Sequence, residues 1–291
     1  MFIICIFIMV QKIAFLFLVI DNPNFPNIWN HYFKNNQNKI NIYIHPKYPE
    51  KHTWKPNNIV KNIKPTAWGF IVNAYIELFK EAFENKDNIK FITLSESCVP
   101  IKPFNILYNT LIDKPNLSYI RMMNVSNYDY KIRLSENIKN NFKNKIIKHY
   151  ARMCLSRQHV QLLLQNLEKV KYFADMHVGD EFFLTSIAPI SNYKDMAISH
   201  DDWDYVKKQA QLIKNKIKKL YEEQEQENNT KINNIDEIKI LKTEFEDICK
   251  NPKKIIKISK TDLKNMKMTE SFFYRKFDTS SDIEKYIYNF I

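Results

Sequence analysis

Short apolar runs closed by turn residues alternate with amphipathic helices through most of the chain, and this rhythm constrains the fold more than any other feature. Residues 12–20 (KIAFLFLVI) run into Asp21-Asn22-Pro23. Residues 40–44 (INIYI) run into His45-Pro46-Lys47, and residues 90–94 (KFITL) into Ser95-Glu96-Ser97. Runs of this length bounded by turn signals read as buried strands. Residues 25–33 read as a short helix. Residues 65–83 read as an amphipathic one, with Trp68, Val72, Tyr75, Ile76, Leu78 and Phe79 near one face. Further strands are expected at 117–123, 146–155 and 255–259, and helices at 157–167, 179–187 and 281–291. The alternation predicts an α/β fold: a single domain over residues 12–291 with a mainly parallel, mixed sheet flanked by helices. Residues 1–11 are an apolar extension. The rhythm breaks at 205–249, where Val206, Ala210, Ile213, Ile217 and Leu220 recur at helical steps. A charged helical hairpin inserted at about 205–250 is expected there, either as a solvated packing device or as a partner-binding arm.

Scarcity excludes several function classes. With only 2 glycines in 291 residues, Gly69 and Gly179, there is no Gly-rich phosphate loop, which removes P-loop and dinucleotide-binding readings. The 4 cysteines, Cys5, Cys98, Cys154 and Cys249, are too scattered for a disulfide framework or a structural zinc site. Cys98 and Cys154 lie in apolar runs and read as buried free thiols in a reducing compartment. The net charge of +12 favours an anionic partner such as nucleic acid or a nucleotide diphosphate. Abundant Lys, Asn and Ile suggest an AT-rich coding bias that inflates this charge, so it argues only weakly for nucleic acid. The apolar start can be an anchor or signal sequence. It reads instead as a first strand at 12–20, because residues 1–10 alone are too short to span a bilayer. Met1 and Met9 both remain as possible starts.

Ligands of open α/β sheets sit beyond the carboxyl ends of the strands. Ser95, Glu96 and Ser97 lie at such an end and can floor a substrate cleft, or simply cap the turn before Pro100 and Pro103. In His177-Val178-Gly179-Asp180-Glu181, two acids follow a glycine at an expected helix start. Glu181 is the candidate general base, kept ionised by the helix dipole; plain capping is the alternative. Lys253, Lys254, Arg275 and Lys276 form two basic pairs that can neutralise a diphosphate leaving group, or be solvated surface. His200-Asp201-Asp202-Trp203-Asp204 can be read as hard oxygen ligands for a divalent metal, a pattern also common by chance. Its Trp203 is either a sugar platform or core.

In this order the segments resemble the core-2/I-branching β-1,6-N-acetylglucosaminyltransferase family, including its plant and viral relatives. KIAFLFLVIDN is similar to the family's opening strand, IYIHPK to its second, and AWGFIVNAYIELFKEAF to its Trp-bearing helix. FITLSESCVPIKPF, ARMCLSRQHVQLLLQN, VGDEFFLTSI, DDWDY and FFYRKF follow in family order. The resemblance covers roughly residues 12–278 apart from the hairpin. It implies a GT-A-like fold and an inverting enzyme that moves a sugar, GlcNAc first among candidates, from a UDP-sugar to a glycan hydroxyl. It implies no cofactor and no metal. Glu181 takes the place of the catalytic base and Lys276 that of a diphosphate-binding Lys. Lys253 falls at the second diphosphate cation, usually Arg, with Arg275 beside it. His45, Ser95 and Glu96 fall on the donor side, although Pro46 replaces an Asp seen in animal members and leaves the donor sugar open. Trp203 and Tyr205 fall at acceptor-contacting aromatics, joined by Arg133 in the polar 124–145 loop that faces solvent or an acceptor. The paucity of cysteines and weak anchor imply a cytoplasmic variant. Its partners would be a nucleotide sugar and a glycan or glycoprotein, with no specific nucleic acid. The competing reading is a basic protein on a degenerate fold that binds glycan or nucleic acid without turnover.

Overall fold

The structure, a computed structural model, describes the backbone of residues 10–55, 58–201, 203–226, 233–250 and 254–291. The strands are β1 (Lys12–Val19), β2 (Ile40–Pro46), β3 (Asn88–Ser95), β4 (Val99–Pro100), β5 (Ser118–Tyr119) and β6 (Met122–Met123). They continue as β7 (Lys148–His149), β8 (Cys154–Ser156), β9 (Tyr193–Lys194), β10 (Ser199–Asp201) and β11 (Phe273–Arg275). The main sheet has the order β2-β1-β3-β8-β5-β9. Only β8 runs against the rest, so the sheet is mixed and mainly parallel, as the alternation predicts.

The apolar first strand lies at the middle of this architecture. Every residue from Ile13 to Val19 is buried, because both faces of β1 are covered. Successive side chains point to opposite faces. Ala14, Leu16 and Leu18 join one core, with Val72, Tyr75 and Phe79 of the helix Val72–Glu84. Ile13, Phe15, Phe17 and Val19 join the other, with Trp29 and Phe33 of the helix Pro26–Phe33 and Leu107 and Leu111 of the helix Phe104–Ile112. Two cores on two faces give helices on both sides of the sheet. Residues 12–19 are therefore a strand inside the fold, and among the described residues no helix is long and apolar enough to cross a membrane.

Several expected elements differ. The helix expected at 65–83 begins only at Val72. Gly69 takes a left-handed φ of +80° and Ala67 bridges to Phe70, so residues 67–70 form a tight turn, and Trp68 is exposed rather than on the buried face. The strand expected at 117–123 splits into β5 and β6, which pair in different sheets. The strand expected at 146–155 likewise splits into β7 and β8. The strand expected at 255–259 reduces to a single bridge from Ile255 to Phe277. A helix, Lys260–Met268, follows it, opened by a reciprocal Ser259–Asp262 capping box that the sequence reading did not register. At the hairpin, the helices Trp203–Gln226 and Asn233–Lys250 bury Val206, Ile213, Ile238 and Leu241. Cys98 and Cys154 are buried free thiols.

Candidate active site

Three segments distant in sequence meet beyond the carboxyl end of β3. The first is the Ser95-Glu96-Ser97 turn. The Glu96 carbonyl accepts the Asn24 N–H at 2.9 Å, and the Ser97 carbonyl accepts the Phe277 N–H at 3.2 Å. The second is the C-terminal strand β11, seated between β10 and β4. Its parallel register sets Asp201 opposite Arg275, and an Arg275 guanidinium nitrogen donates to Asp201 Oδ2 at 3.0 Å. The third is the 150–152 stretch between β7 and β8. Thr93 of β3 anchors it, donating from Oγ1 to the Ala151 carbonyl at 2.9 Å.

The charges on these segments act on one another. Lys276 is pulled below its ordinary value, first by burial and then by repulsion from Arg275 and Arg152; Glu96 and Asp201 oppose the shift. The Tyr150 hydroxyl is pushed up to about 12 by burial, then by Asp201 and Glu181, with Arg121 and Arg275 opposing. Arg152 is partly buried and donates from a guanidinium nitrogen to the Tyr75 hydroxyl at 3.1 Å. Burial works against its charge, but Tyr75, Cys98, Asp201 and Asp180 outweigh it and hold the guanidinium above its ordinary value. Glu181, Tyr150, Arg152, Asp201, Arg275, Lys276 and Glu96 thus form one electrostatically linked cluster, which we take as the candidate crevice. Asp180 Oδ1, Asp201 Oδ1 and the Nε atoms of Arg152 and Arg275 are buried in it without a protein hydrogen bond. Such groups are matched to a polar ligand or to water.

Glu181 does not sit where a helix dipole would hold its charge. Gly179–Glu181 is a single 3₁₀ turn, and the helix that follows is Phe183–Ile187. The expectation of a long helix from Gly179 with both acids in its first turn is corrected: Val178 adopts a left-handed φ of +55°, which ends regular geometry before the acids. Lys148 Nζ lies 3.4 Å from Glu181 Oε2 and 3.0 Å from Asp129 Oδ2. Asp129 is almost fully buried and also accepts from Arg133 at 2.9 Å. Asp180 turns inward, and burial, with Glu181 adding to it, pushes its carboxyl up to about 6 against Arg152 and Arg275.

The other expected residues fall as follows. Ser95 is buried, its hydroxyl 3.3 Å from Ser97 Oγ and 3.4 Å from Cys98 Sγ. His45 is fully buried; its Nε2 accepts the Lys64 N–H at 2.9 Å, and burial holds the ring below its ordinary pKa. Arg133 is tied to Asp129 and lies over the Tyr128 ring. Lys254 pairs with Asp278 on the surface. Lys253 lies outside the described residues, as do the Trp203 and Tyr205 side chains. Asp201, read with its neighbours as a possible metal ligand, is committed to Arg275, and among the described residues no cluster of three His, Cys, Asp or Glu forms a metal site. Lys148, Tyr150 and Arg152 were not singled out from the sequence. Arg152 carried a signal, a charge inside the apolar run ARMCL.

A mixed α/β sheet with a crevice of carboxylates and cations beyond its strand ends is the arrangement of a GT-A-like sugar-transferring enzyme. The family model for core-2/I-branching enzymes matches residues 13–239, and the chain belongs to that family, a family of glycosyltransferases. The matched span holds the Asp180-Glu181 turn and the Ser95-Glu96-Ser97 turn but stops before Arg275 and Lys276. No curated protein matches the chain.

Proposed function

We propose that the protein is an inverting, metal-independent glycosyltransferase that moves a sugar, GlcNAc first among candidates, from a UDP-sugar to a hydroxyl of a glycan. The observation that carries this reading is that Glu181 and Arg275, from segments far apart in the chain, both act on Tyr150, while Arg275 and Glu96 both act on Lys276. In the reaction, Glu181 takes the proton of the acceptor hydroxyl. The oxygen bonds to the anomeric carbon from the face opposite the leaving group, and the bond from that carbon to the diphosphate oxygen breaks. Arg275 and Lys276, with Lys253, neutralise the charge gathering on UDP, the task a metal ion performs elsewhere. Lys148 keeps the Glu181 carboxylate in place between turnovers.

UDP release from a panel of UDP-sugars, with and without EDTA, tests the reading. Wild type is expected to release UDP equally under both conditions. Glu181→Gln is expected to lose roughly a hundredfold or more in rate, the usual contribution of a general base. Loss of activity in EDTA would overturn the metal-free mechanism, and an unimpaired Glu181→Gln enzyme would overturn the base.

A further inference from the structure

We propose that Trp68, with Phe70 and His177, is the platform on which a pyranose ring of the acceptor lies with its C–H face down, beside Glu181. The inference rests on Glu181 marking the acceptor side of the crevice. Trp29 and Trp54 are buried, at 0% and 4% exposure, whereas Trp68 is 66% exposed. With the exposed Phe70 two residues on, the open indole offers a small aromatic surface to a ligand.

The exposed ring is held in place. Its centroid lies 4.8 Å from that of His177, and the half-exposed Phe70 ring lies 5.6 Å from the same imidazole. The turn that presents Trp68 is closed by the Phe70 N–H on the Ala67 carbonyl at 2.9 Å. It is joined to the base loop by the Val178 N–H on the Gly69 carbonyl at 2.7 Å. Both glycines of the chain sit at this junction. A Cβ on Gly69 would come within 2.5 Å of His177 Cδ2, and one on Gly179 within 2.1 Å of the Phe173 carbonyl oxygen. Val178 between them is a β-branched residue in a left-handed conformation, a strained state that persists only where its surroundings enforce it. The Trp68 turn and the Glu181 turn are therefore one rigid unit, and whatever lies on the indole has a fixed relation to the carboxylate.

The chemistry of the patch selects the ligand. Three adjacent rings are too small an apolar surface for a protein interface but match one pyranose, whose axial C–H bonds face an aromatic plane while its hydroxyls point to the rim. Glu181, three residues beyond the Val178 that the Trp68 turn holds, is the carboxylate proposed to accept a hydroxyl proton of that sugar.

Saturation-transfer NMR with methyl β-D-galactopyranoside and methyl β-D-glucopyranoside tests the platform without turnover. Wild type is expected to pass saturation mainly to ring C–H protons of one face. Trp68→Ala is expected to weaken binding about tenfold, the scale of one stacking contact, while Trp68→Phe stays within about threefold of wild type. Trp68 is largely exposed, so the variants are expected to melt as wild type does. Absence of binding of either glycoside to wild type, or equal binding by Trp68→Ala, would overturn the proposal. Glu181→Gln is expected to keep the one-face pattern while losing UDP release. If that variant instead turned over normally, the base reading would fall, and the Trp68→Ala comparison would still decide the platform.

Discussion

Asp180 and Glu181 are adjacent carboxylates with opposite surroundings. Glu181 keeps about a third of its side chain in water and has Lys148 as its cation. Asp180 is buried, with one oxygen lacking a hydrogen bond, and its carboxyl is raised from 3.8 to about 6. An acid with a higher folded than unfolded pKa binds more protons when folded. It therefore leaves stability intact at low pH and withdraws it as the pH rises from about 4 to 6. Two units correspond to at most about 3 kcal/mol. Asp180→Asn is expected to abolish that slope, so its melting temperature should gain on wild type across this window. Thermal melts between pH 4 and 7 check it, and parallel curves for the two proteins would refute the burial argument. The sequence offered both acids as a pair. It could not say which turned inward, because that depends on Val178 leaving the helical region.

At the scale of elements, Arg157 shows how a single cation closes a helix. The helix Val72–Glu84 has no basic residue in its last turn. Arg157, from the start of another helix, donates to the carbonyls of Phe83, Asn85 and Asn88 at 2.8, 2.9 and 2.9 Å and stacks over the Phe83 ring. The carbonyls at the helix end and at the entry to β3 thereby gain a charged donor, the Asn85 carbonyl in addition to the Asn88 N–H at 3.2 Å. Arg157→Met keeps the stem and removes the donors, and is expected to cost about 2–4 kcal/mol in denaturant unfolding. A change below about 0.5 kcal/mol, the scale of an ordinary surface substitution, would mean that water serves those carbonyls equally well. Helix periodicity located Val72–Glu84 but overshot its start, because Gly69 breaks the repeat with a left-handed turn while the apolar spacing runs on through Trp68.

At the scale of the whole molecule, the fold's main act is to return the C-terminal segment to the central strand. Phe273 and Tyr274 pair with Pro100 and Val99 of β4, and Phe277 hydrogen-bonds Ser97. Arg275 and Lys276 thus reach the end of β3 from the far end of the chain. Two adjacent cations under partial burial repel each other, and a bound anion relieves that repulsion. UDP is expected to raise the melting temperature of wild type by mass action and to raise that of Lys276→Met much less. An equal shift in both would place the diphosphate elsewhere.

Residue order alone determined the strands β1, β2 and β3, the mainly parallel mixed sheet, the helical break after β10 and the types of side chain available for catalysis. These follow from apolar periodicity and from turn residues, which act over a few positions. Only the tertiary structure decided which of those side chains meet. Lys148 at Glu181, Arg152 inside the crevice, Asp201 on Arg275 and Trp68 in the open all depend on contacts between segments far apart in the chain. Local pattern carries no record of such contacts, since the burial that draws these charges together is a property of the packed sheet and its two cores.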